Sequence, residues 1–252
     1  MQNYILVLQG AVAHILGWPQ CAKALINLAE LDLSDRNSET STDRVLNLLD
    51  YFSPDAPIWT ADELMEQEGV ARATVYRYLA ALVAKGFLTQ VSRGAYSLGP
   101  RIIELDRQIR AADPLLRVAP PIMAELRDQV MGTQLLCRYY GSTVMSIYED
   151  RSDPRIITSF DRGKPFPFFL GSPSRSILVN LSAAQLQRIY LNHADEIAEA
   201  NLGQNWPAFR EKMKIERDVG VVVASDIDKK LIGFGAPVFS SPDTVAASIT
   251  LA

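Results

Sequence analysis

The sequence predicts an α+β protein of two domains, and three observations support this class. The chain has 252 residues, which is enough for two domains that each bury a core. Short amphipathic helices and one hairpin occupy its first half. The second half changes to a period of two between helical segments, which is typical of antiparallel strands packed with helices. Residues 1–41 form a leader that ends in a polar run and is left unassigned.

Charge and composition narrow the functional classes. The net charge of −4 and the pI near 5.3 argue against a protein that coats nucleic acid indiscriminately, so any nucleic-acid contact is expected to be local. Cys21 and Cys137 lack metal-ligand spacing and are expected to be reduced core thiols. The apolar run at residues 4–16 is shorter than the ~20 residues of a membrane span. A cytoplasmic location is therefore expected.

Residues 42–52 predict the first core-facing helix, because apolar side chains recur there at i, i+3, i+4 and i+7. Thr60 and Glu63 have the spacing of a capping box, which predicts a short helix that continues to Glu68. Gly69 then turns the chain into a longer helix that begins near residue 71.

This longer helix carries the candidate contacts to nucleic acid. Four apolar residues form its predicted stripe toward the core: Val75, Leu79, Leu82 and Val83. Four others point away from the core: Arg72, Thr74, Tyr76 and Arg77. Tyr78 is expected to be partly buried. Taken alone, the two arginines would be solvated charges on a helix, and only their context favours a contact with DNA.

A hairpin follows, with an apolar first strand that includes Val91, a turn at residues 92–94 and a second strand at residues 96–98. Helix, short helix, turn, helix and hairpin in this order predict a winged helix-turn-helix domain at residues 42–99. Five basic residues and no acidic one lie between Ala71 and Arg101, as expected of a phosphate-binding face. Arg93 at the hairpin tip therefore joins the DNA-binding candidates.

Residues 100–112 predict a linker helix whose narrow stripe of Ile102, Leu105 and Ile109 is expected to help pair two subunits. Residues 113–252 form the second predicted domain, in which Pro120 and Pro121 are expected to precede the first helix. Helices are then predicted at 174–181, 182–191 and 206–218, and strands at 135–139, 144–148, 155–160, 219–224, 232–239 and 244–251.

Ser172 and Pro173 precede a predicted helix, and the free N–H groups at such a helix start favour an anion such as a carboxylate. The alternative is an ordinary N-cap by Ser172 or Ser174. Nearby phenylalanines either line a pocket or pack in the core: Phe166, Phe168 and Phe169. Neither His14 nor His193 has the spacing of a nucleophile and its base, and no phosphate loop or metal cluster appears, so no catalytic residue, metal or cofactor is expected.

From residue 42 to its end the chain resembles the IclR family of bacterial transcriptional regulators. Five stretches carry the resemblance: VARATVYRYLAALVAKGFL, YSLGPRIIEL, GSPSRSILVNL, RDVGVVVASDIDKKLIGFGAPVF and AASITLA. It implies a GAF-like effector-binding domain, binding to a palindromic operator as a dimer or tetramer, and repression or activation controlled by a small organic acid. The alternative function is a small-molecule sensor or enzyme whose winged domain mediates protein contacts.

The resemblance also implies which residues bind the effector: Ser172, Pro173, Asp226, Gly233 and Thr250. Without it, Gly233 would indicate a bulge and Thr250 an ordinary strand residue. The chain departs from the family at Ser174 and Arg175, where members usually have Gly-Lys. It also stops at Ala252, where members continue into a turn and a closing helix, so a C-terminal truncation is expected.

Overall fold

The computed structural model describes residues 40–141, 143–152, 162–225 and 231–252. The chain divides into two compact units, and the boundary between them lies between Asp113 and Pro114. Three predicted features lie outside the described residues: most of the leader, the strand at residues 155–160 and the position of Asp226.

The described part of the N-terminal unit contains four α-helices and three strands. They are α1 (Ser41–Asn47), β1 (Trp59–Thr60), α2 (Ala61–Glu68), α3 (Arg72–Ala84), β2 (Leu88–Ser92), β3 (Ala95–Leu98) and α4 (Pro100–Ala112). A 3₁₀ turn at Leu48–Tyr51 follows α1, so the predicted first helix changes its winding halfway along.

Local signals fix the ends of α2. The Thr60 hydroxyl accepts from the Glu63 N–H, and the Glu63 carboxylate accepts from the Thr60 N–H, which confirms the predicted capping box. Gly69 ends the helix with a φ of 63°, a left-handed conformation that glycine adopts without a steric penalty. These two signals set the short spacing between α2 and α3.

The core of this unit joins α1, α2, α3 and the wing sheet, whose strand order is β1-β3-β2. Strand β1 was not predicted. Trp59 pairs with Tyr96 across β1 and β3, and the Trp59 indole N–H donates to the carbonyl of Tyr51 at 2.9 Å. The sheet is thereby tied back to the end of the first helix.

Three side chains of this unit differ from the prediction. Successive residues turn by about 100° in a helix, so the stripe centred on Val75 and Leu82 includes Tyr78 and leaves Val83 at its rim. Tyr78 is accordingly buried at 5% exposure, and Val83 is 37% exposed. Val91 is 49% exposed because the wing hairpin packs on the core mainly through Leu88 and Tyr96.

The C-terminal unit is an antiparallel sheet between helices. Its helices are α5 (Pro114–Gln129), α6 (Gly171–Leu178), α7 (Ala183–Asn192), α8 (Ala194–Glu199) and α9 (Trp206–Val219). Its strands are β4 (Thr133–Tyr139), β5 (Val144–Arg151), β6 (Pro165–Phe166), β7 (Val222–Ser225), β8 (Ile232–Ser241) and β9 (Thr244–Leu251). The described strands form one sheet in the order β6-β5-β4-β9-β8-β7.

The two faces of this sheet pack on different helices. Leu136, Ile249 and Ala236 are aligned across β4, β9 and β8 and belong to the apolar cluster that contains the buried side of α5. The next row, which includes Leu135 and Thr250, faces the opposite way because strand side chains alternate. Helices α6 to α9 cover that second face.

Two helix starts in this unit differ from the prediction. Pro120 and Pro121 lie inside α5 rather than before it. An internal proline costs roughly 3 kcal/mol, but α5 buries Leu115, Ala119 and Met123 against the sheet, and packing of this extent outweighs the local preference. Helix α6 begins at Gly171, three residues earlier than predicted, and the short helix α8 was missed.

Candidate DNA-binding surface and effector site

Helix α3 presents two chemically distinct faces. Val75, Leu79 and Leu82 are at most 4% exposed and hold the helix on the core of the N-terminal unit. Arg72 and Arg77 are exposed on the side away from that core, and Tyr76 is 38% exposed beside them. Thr74 is half-buried. Buried packing on one side thus fixes the direction in which the cationic and hydroxyl groups point.

Arg72 is held in place by two neighbours. Its Nη2 lies 3.4 Å from the hydroxyl of Tyr76 and 3.7 Å from the carboxylate of Asp62 on α2. Its guanidinium carbon lies 5.5 Å from the centre of the Tyr76 ring. The hydrogen bond with Tyr76, and secondarily the charge of Asp62, raise the pKa of Arg72 above its ordinary value. The arginine therefore stays cationic, although Asp62 offsets part of its field.

Among the residues that the structure describes, Arg77 and Arg93 have no such acidic neighbour. The Arg77 guanidinium carbon lies 5.5 Å from the ring centre of Tyr78, which is itself buried and therefore fixed. Arg93 is exposed in the turn of the wing, where Gly94 adopts a φ of 76°. Among the described residues, no carboxylate forms an ion pair with either arginine. Their charges are therefore available to a phosphate or a base edge.

Three of the predicted effector residues meet where α6 crosses the sheet. A Cβ placed on Gly233 would lie 2.3 Å from the Ser172 hydroxyl and 3.3 Å from Cγ2 of Thr250. Ser172 and Thr250 are each 2% exposed. Pro173 is also buried, and its carbonyl accepts a hydrogen bond from the Ser248 hydroxyl at 2.9 Å. The side of Gly233 that lacks a side chain is thus filled by Ser172, which explains the need for glycine there.

The start of α6 leaves few backbone donors unpaired. Its N-cap is Leu170, which has no side chain able to cap it, so the expectation of an ordinary cap by Ser172 or Ser174 is wrong. The Leu170 N–H donates to the carbonyl of Pro167, and Pro173 has no N–H. Within the described ranges, the N–H groups of Gly171 and Ser172 have no acceptor, so they remain for one from outside the helix.

Buried hydroxyl groups surround this helix start, and the sequence interpretation missed those of Ser146, Ser176 and Ser248. Ser146 and Ser248 lie on either side of Cys137 across β5, β4 and β9, on the face that α6 covers. Three buried hydroxyls lack a hydrogen-bond partner among the described residues: Ser146, Ser174 and Thr250. An unpaired buried hydroxyl is costly, so such a cluster is typical of a site that a polar ligand completes. In the sequence, only the period-two alternation of the strands indicated that the strand hydroxyls share one face of the sheet.

The three phenylalanines in the loop before α6 differ in how deeply they are buried. Phe166 and Phe169 are buried in the core cluster beneath α6. Phe168 is only partly buried and stacks on Tyr139 with ring centres 5.9 Å apart. Burial raises the pKa of Tyr139, and the charge of Arg188 partly opposes this shift. The Tyr139 hydroxyl donates to the carbonyl of Gly141.

Arg175 occupies the position where the resemblance led us to expect lysine. Its guanidinium forms an ion pair with Glu216 on α9, and Lys212 lies 3.6 Å from the same carboxylate. The Arg175 side chain is 18% exposed and that of Glu216 14%. The arginine therefore ties α6 to α9.

Neither a metal site nor a membrane-spanning helix is present in the described ranges. No group of three or more histidine, cysteine, aspartate or glutamate side chains there has the arrangement of a metal site. Within the same ranges, none of the helices combines the length and the apolar character that crossing a bilayer requires. Cys137 is fully buried, as expected of a core thiol, and burial raises its pKa.

Comparisons with known proteins agree with this geometry. Residues 41–92 match the family model of the IclR helix-turn-helix domain. The chain is 27% identical over 224 residues to the HTH-type transcriptional regulator KipR of Bacillus subtilis. The aligned region covers 86% of this chain and 87% of KipR. It is 23% identical over 220 residues to the Pca regulon regulatory protein of Pseudomonas putida, with 86% and 75% covered.

A solved structure shows the same fold. It is an IclR homolog from Microbacterium hydrocarbonoxydans in complex with 4-hydroxybenzoate, with a TM-score of 0.66, 18% identity, and 84% of this chain and 88% of that chain covered. The chain thus combines a winged helix-turn-helix unit with a GAF-like sheet domain, and the first of these is an architecture that commonly binds DNA. Residues 41–92 therefore match an IclR helix-turn-helix domain, and over most of its length the chain is similar to transcriptional regulators that include KipR.

Proposed function

We propose that the chain binds a palindromic operator through α3 and the wing, and that a small organic acid bound at the start of α6 controls this binding. The observation that carries the proposal is the placement of exposed cations on the face of α3 opposite its buried stripe, within the segment that matches the family's helix-turn-helix domain. We also propose that the protein represses transcription of its target genes.

The proposed DNA contacts follow from the chemistry of each side chain. Arg77 and Arg72 on α3 are suited to phosphates or to the edge of a guanine in the major groove. Thr74 and Tyr76 supply hydroxyl groups for a phosphate, and the threonine methyl can contact a thymine. Arg93 at the tip of the wing is suited to the minor groove or to its phosphates.

The direct test is binding of the full chain to promoter DNA, including the region upstream of its own gene, followed by fluorescence anisotropy across a series of salt concentrations. The logarithm of the association constant should fall linearly with the logarithm of the salt concentration, since each phosphate contact releases counterions. Binding that is absent at low salt, or independent of salt, would contradict the proposed role of these cations.

We further propose a homodimer or homotetramer, with residues 42–99 as the reader, 100–112 as the linker helix and 113–252 as the effector domain. Helix α4 has no buried residue, and of its predicted stripe Ile102 and Leu105 are half-buried while Ile109 is 53% exposed, so this stripe has apolar surface available to a second subunit. Light scattering should give at least twice the mass of one chain. The footprint should show two half-sites spaced by whole helical turns.

The effector proposal rests on Ser172, Pro173, Gly233 and Thr250. It also assigns Asp226, which lies outside the described residues, as an acceptor from a ligand hydroxyl. Two backbone N–H groups at the helix start suit a carboxylate, and the hydroxyl of Thr250 has no partner among the described residues. The helix dipole and these donors favour an anion over a neutral ligand.

A panel of small carboxylates that includes 4-hydroxybenzoate, the ligand of the related solved structure, should contain a compound that raises the melting temperature. Ser172→Trp should abolish that increase, and Leu191→Trp, at an exposed position of the same unit, should retain it. The compound should also change operator affinity, because a regulator responds only to a ligand that binds its two states unequally. If Ser172→Trp responds undiminished, the site lies elsewhere.

We propose that the protein acts in the cytoplasm and without a cofactor or catalytic reaction. The related proteins found by comparison are transcriptional regulators, and no enzyme family is indicated. Among the described residues, neither a metal cluster nor a paired nucleophile and base was found beside the α6 helix start.

A further inference from the structure

Helix α3 ends at a glycine that fixes the direction of the chain after it. Gly86 has a φ of 75°, and its N–H donates to the carbonyl of Val83 at 2.9 Å. The Phe87 N–H donates to the carbonyl of Leu82, also at 2.9 Å. These two hydrogen bonds form a Schellman motif, which pairs the last carbonyls of a helix and places a left-handed residue just after its end. The carbonyl of Gly86 therefore has a fixed direction.

The same carbonyl binds the first turn of helix α4. The Arg101 N–H donates to the carbonyl of Gly86 at 3.0 Å, and the Gly99 N–H donates to the carbonyl of Phe87 at 2.7 Å. The first N–H groups of a helix have no acceptor within it, and Gly99, the N-cap of α4, has no side chain to supply one. The end of α3 supplies the acceptor instead. We call Gly86, Phe87, Gly99 and Arg101 the α3–α4 junction.

Close packing of the backbone holds this junction together. A Cβ on Gly99 would lie 2.2 Å from the carbonyl oxygen of Gly86 and 2.9 Å from the carbonyl carbons of Gly86 and Leu88. All three neighbours are backbone atoms, so no rotation of a side chain could make room for it. Leu98, the residue before Gly99, pairs with Leu88 in the wing sheet. The junction thus joins α3, the wing and the start of α4 into one rigid piece.

This rigidity matters because the candidate DNA contacts lie toward the other end of α3. The helix has 13 residues, which corresponds to a length of about 20 Å. A tilt of about 10° at its C-terminal end would move its N-terminal end by about 3 Å. A displacement of that size equals the length of a hydrogen bond, so contacts from Arg72 and its neighbours to a base edge would be lost.

We propose that the α3–α4 junction positions the reading helix, so that α4, paired with the same helix of a second subunit, sets the direction of α3. The inference rests on the proposed operator binding and on the proposed pairing through α4. Its consequence is that the two α3 helices of a dimer have a fixed separation and orientation. The protein then discriminates between operators by the spacing of their half-sites, whereas a flexible connection would accept several spacings.

Hydrogen exchange of the full chain without DNA tests the rigidity of the junction. The Lys85 amide is paired with Ala81 in the last turn of α3 and serves as the reference. After correction for intrinsic rates, the Arg101 amide should exchange within about threefold of the Lys85 amide, because one opening event exposes both. Exchange of Arg101 about a hundredfold faster than Lys85 would show that α4 opens independently, and would overturn the proposal.

Two variants at one position test the positioning of α3 on DNA. Gly86→Val and Gly86→Asn add a side chain of similar size, and the new Cβ would lie 3.4 Å from the Cβ of Arg101, an ordinary contact. Asparagine tolerates the left-handed conformation that Gly86 adopts, and β-branched valine does not. Only the valine variant should therefore distort the junction, and the asparagine variant is its matched control.

The measured quantity is the ratio of affinities for two duplexes. The first is the operator defined by footprinting upstream of the protein's own gene, and the second has one base pair inserted between the half-sites. The insertion moves one half-site by about 3.4 Å and turns it by about 35°. The wild type and Gly86→Asn should prefer the first duplex by about tenfold or more, since the second has to be twisted to fit, and Gly86→Val should prefer it by about twofold.

A general loss of stability lowers both affinities together and leaves their ratio unchanged, so the ratio reports positioning alone. Gly86→Val with the wild-type ratio, or Gly86→Asn without it, would overturn the proposal. If the wild type binds neither duplex, the proposed operator binding fails, and the positioning of α3 for DNA fails with it. If the wild type binds the operator without discriminating the spacing, the proposed function stands and only the role of the junction is wrong.

Discussion

The proposed DNA-binding surface and the proposed effector site differ in how deeply their residues are built into the fold. Arg77 and Arg93 extend from the surface of the N-terminal unit and have no acidic partner among the described residues. Ser172 and Thr250 are 2% exposed and lie where a helix crosses a sheet. A surface residue can be exchanged at little cost to folding, whereas a residue at the buried crossing affects stability and ligand binding together.

The largest effect is expected where α6 lies closest to the sheet. A Cβ on Gly235 would lie 2.3 Å from the Ser176 hydroxyl and 2.7 Å from the backbone oxygen of Ser172. Gly235→Ala should therefore lower the free energy of unfolding by about 3 kcal/mol, since the backbone itself has to move. Chemical denaturation measures this change.

Gly233→Ala provides the matched control. The nearest atom to its added Cβ is the Ser172 hydroxyl, which can rotate, and no backbone atom is among the close neighbours. It should cost less than Gly235→Ala. If both variants unfold at the wild-type denaturant concentration, α6 and β8 are not in close contact. The effector site would then not be more deeply built into the fold than the DNA-binding surface.

The next largest effect concerns DNA binding without loss of stability. Arg77→Ala should weaken operator binding by about 1–3 kcal/mol if the arginine contacts a base edge, or lower the salt slope by about one if it contacts a phosphate. The melting temperature should stay unchanged because the side chain is exposed. Anisotropy and thermal melts on the same preparation test both statements.

Arg72→Ala sharpens this prediction. Asp62 lies 3.7 Å from the Arg72 guanidinium and already offsets part of its charge, so this variant should lose less affinity than Arg77→Ala. Unchanged affinity of Arg77→Ala at every salt concentration would show that this face of α3 does not contact DNA.

A smaller effect is expected from replacing a hydroxyl that has no partner. Thr250→Val keeps the shape of the side chain and removes a buried hydroxyl that is unpaired among the described residues. It should raise the free energy of unfolding by roughly 1 kcal/mol in the absence of ligand, since the cost of burying that hydroxyl disappears.

The same variant should lose affinity for a stabilising carboxylate, which thermal shift measures at several ligand concentrations. Stability and binding would then change in opposite directions at one residue, which no exposed arginine of α3 should show. A destabilised Thr250→Val would mean that the hydroxyl has a structural partner.

The smallest effect is a pH dependence in the N-terminal unit. The hydrogen bonds from the Thr60 backbone, and secondarily from its hydroxyl, lower the pKa of Glu63 from 4.5. A carboxyl with a lowered pKa in the folded state contributes stability above pH 4.5, and this contribution is lost as the pH falls through the lower value.

Glu63→Gln should therefore differ most from the wild type at neutral pH and least in acid, as measured by thermal melts. Glu66→Gln changes another exposed carboxylate of α2 and serves as the control. A difference that does not narrow in acid would mean that the capping box does not depend on the charge of Glu63.

Local signals predicted the elements of this protein well where the cause lies within one turn of the chain. The capping box at Thr60 and the strand Thr244–Leu251 were predicted correctly, because capping and alternation act between residues at most a few positions apart. The stripe of α3 differed from the prediction at two positions, since Val83 is exposed and Tyr78 is buried. The family resemblance identified the class of regulator, and helix spacing indicated which groups of α3 face outward.

Only the tertiary structure decided which distant residues meet. The hydroxyl of Ser248 reaches the carbonyl of Pro173 across 75 positions of sequence, and the register of β5, β4 and β9 aligns Ser146 with it. Packing against the sheet also kept Pro120 and Pro121 inside a helix that their local preference would end. The physical reason is that burial depends on what lies on the other side of an element, and a sequence pattern contains only one of the two sides.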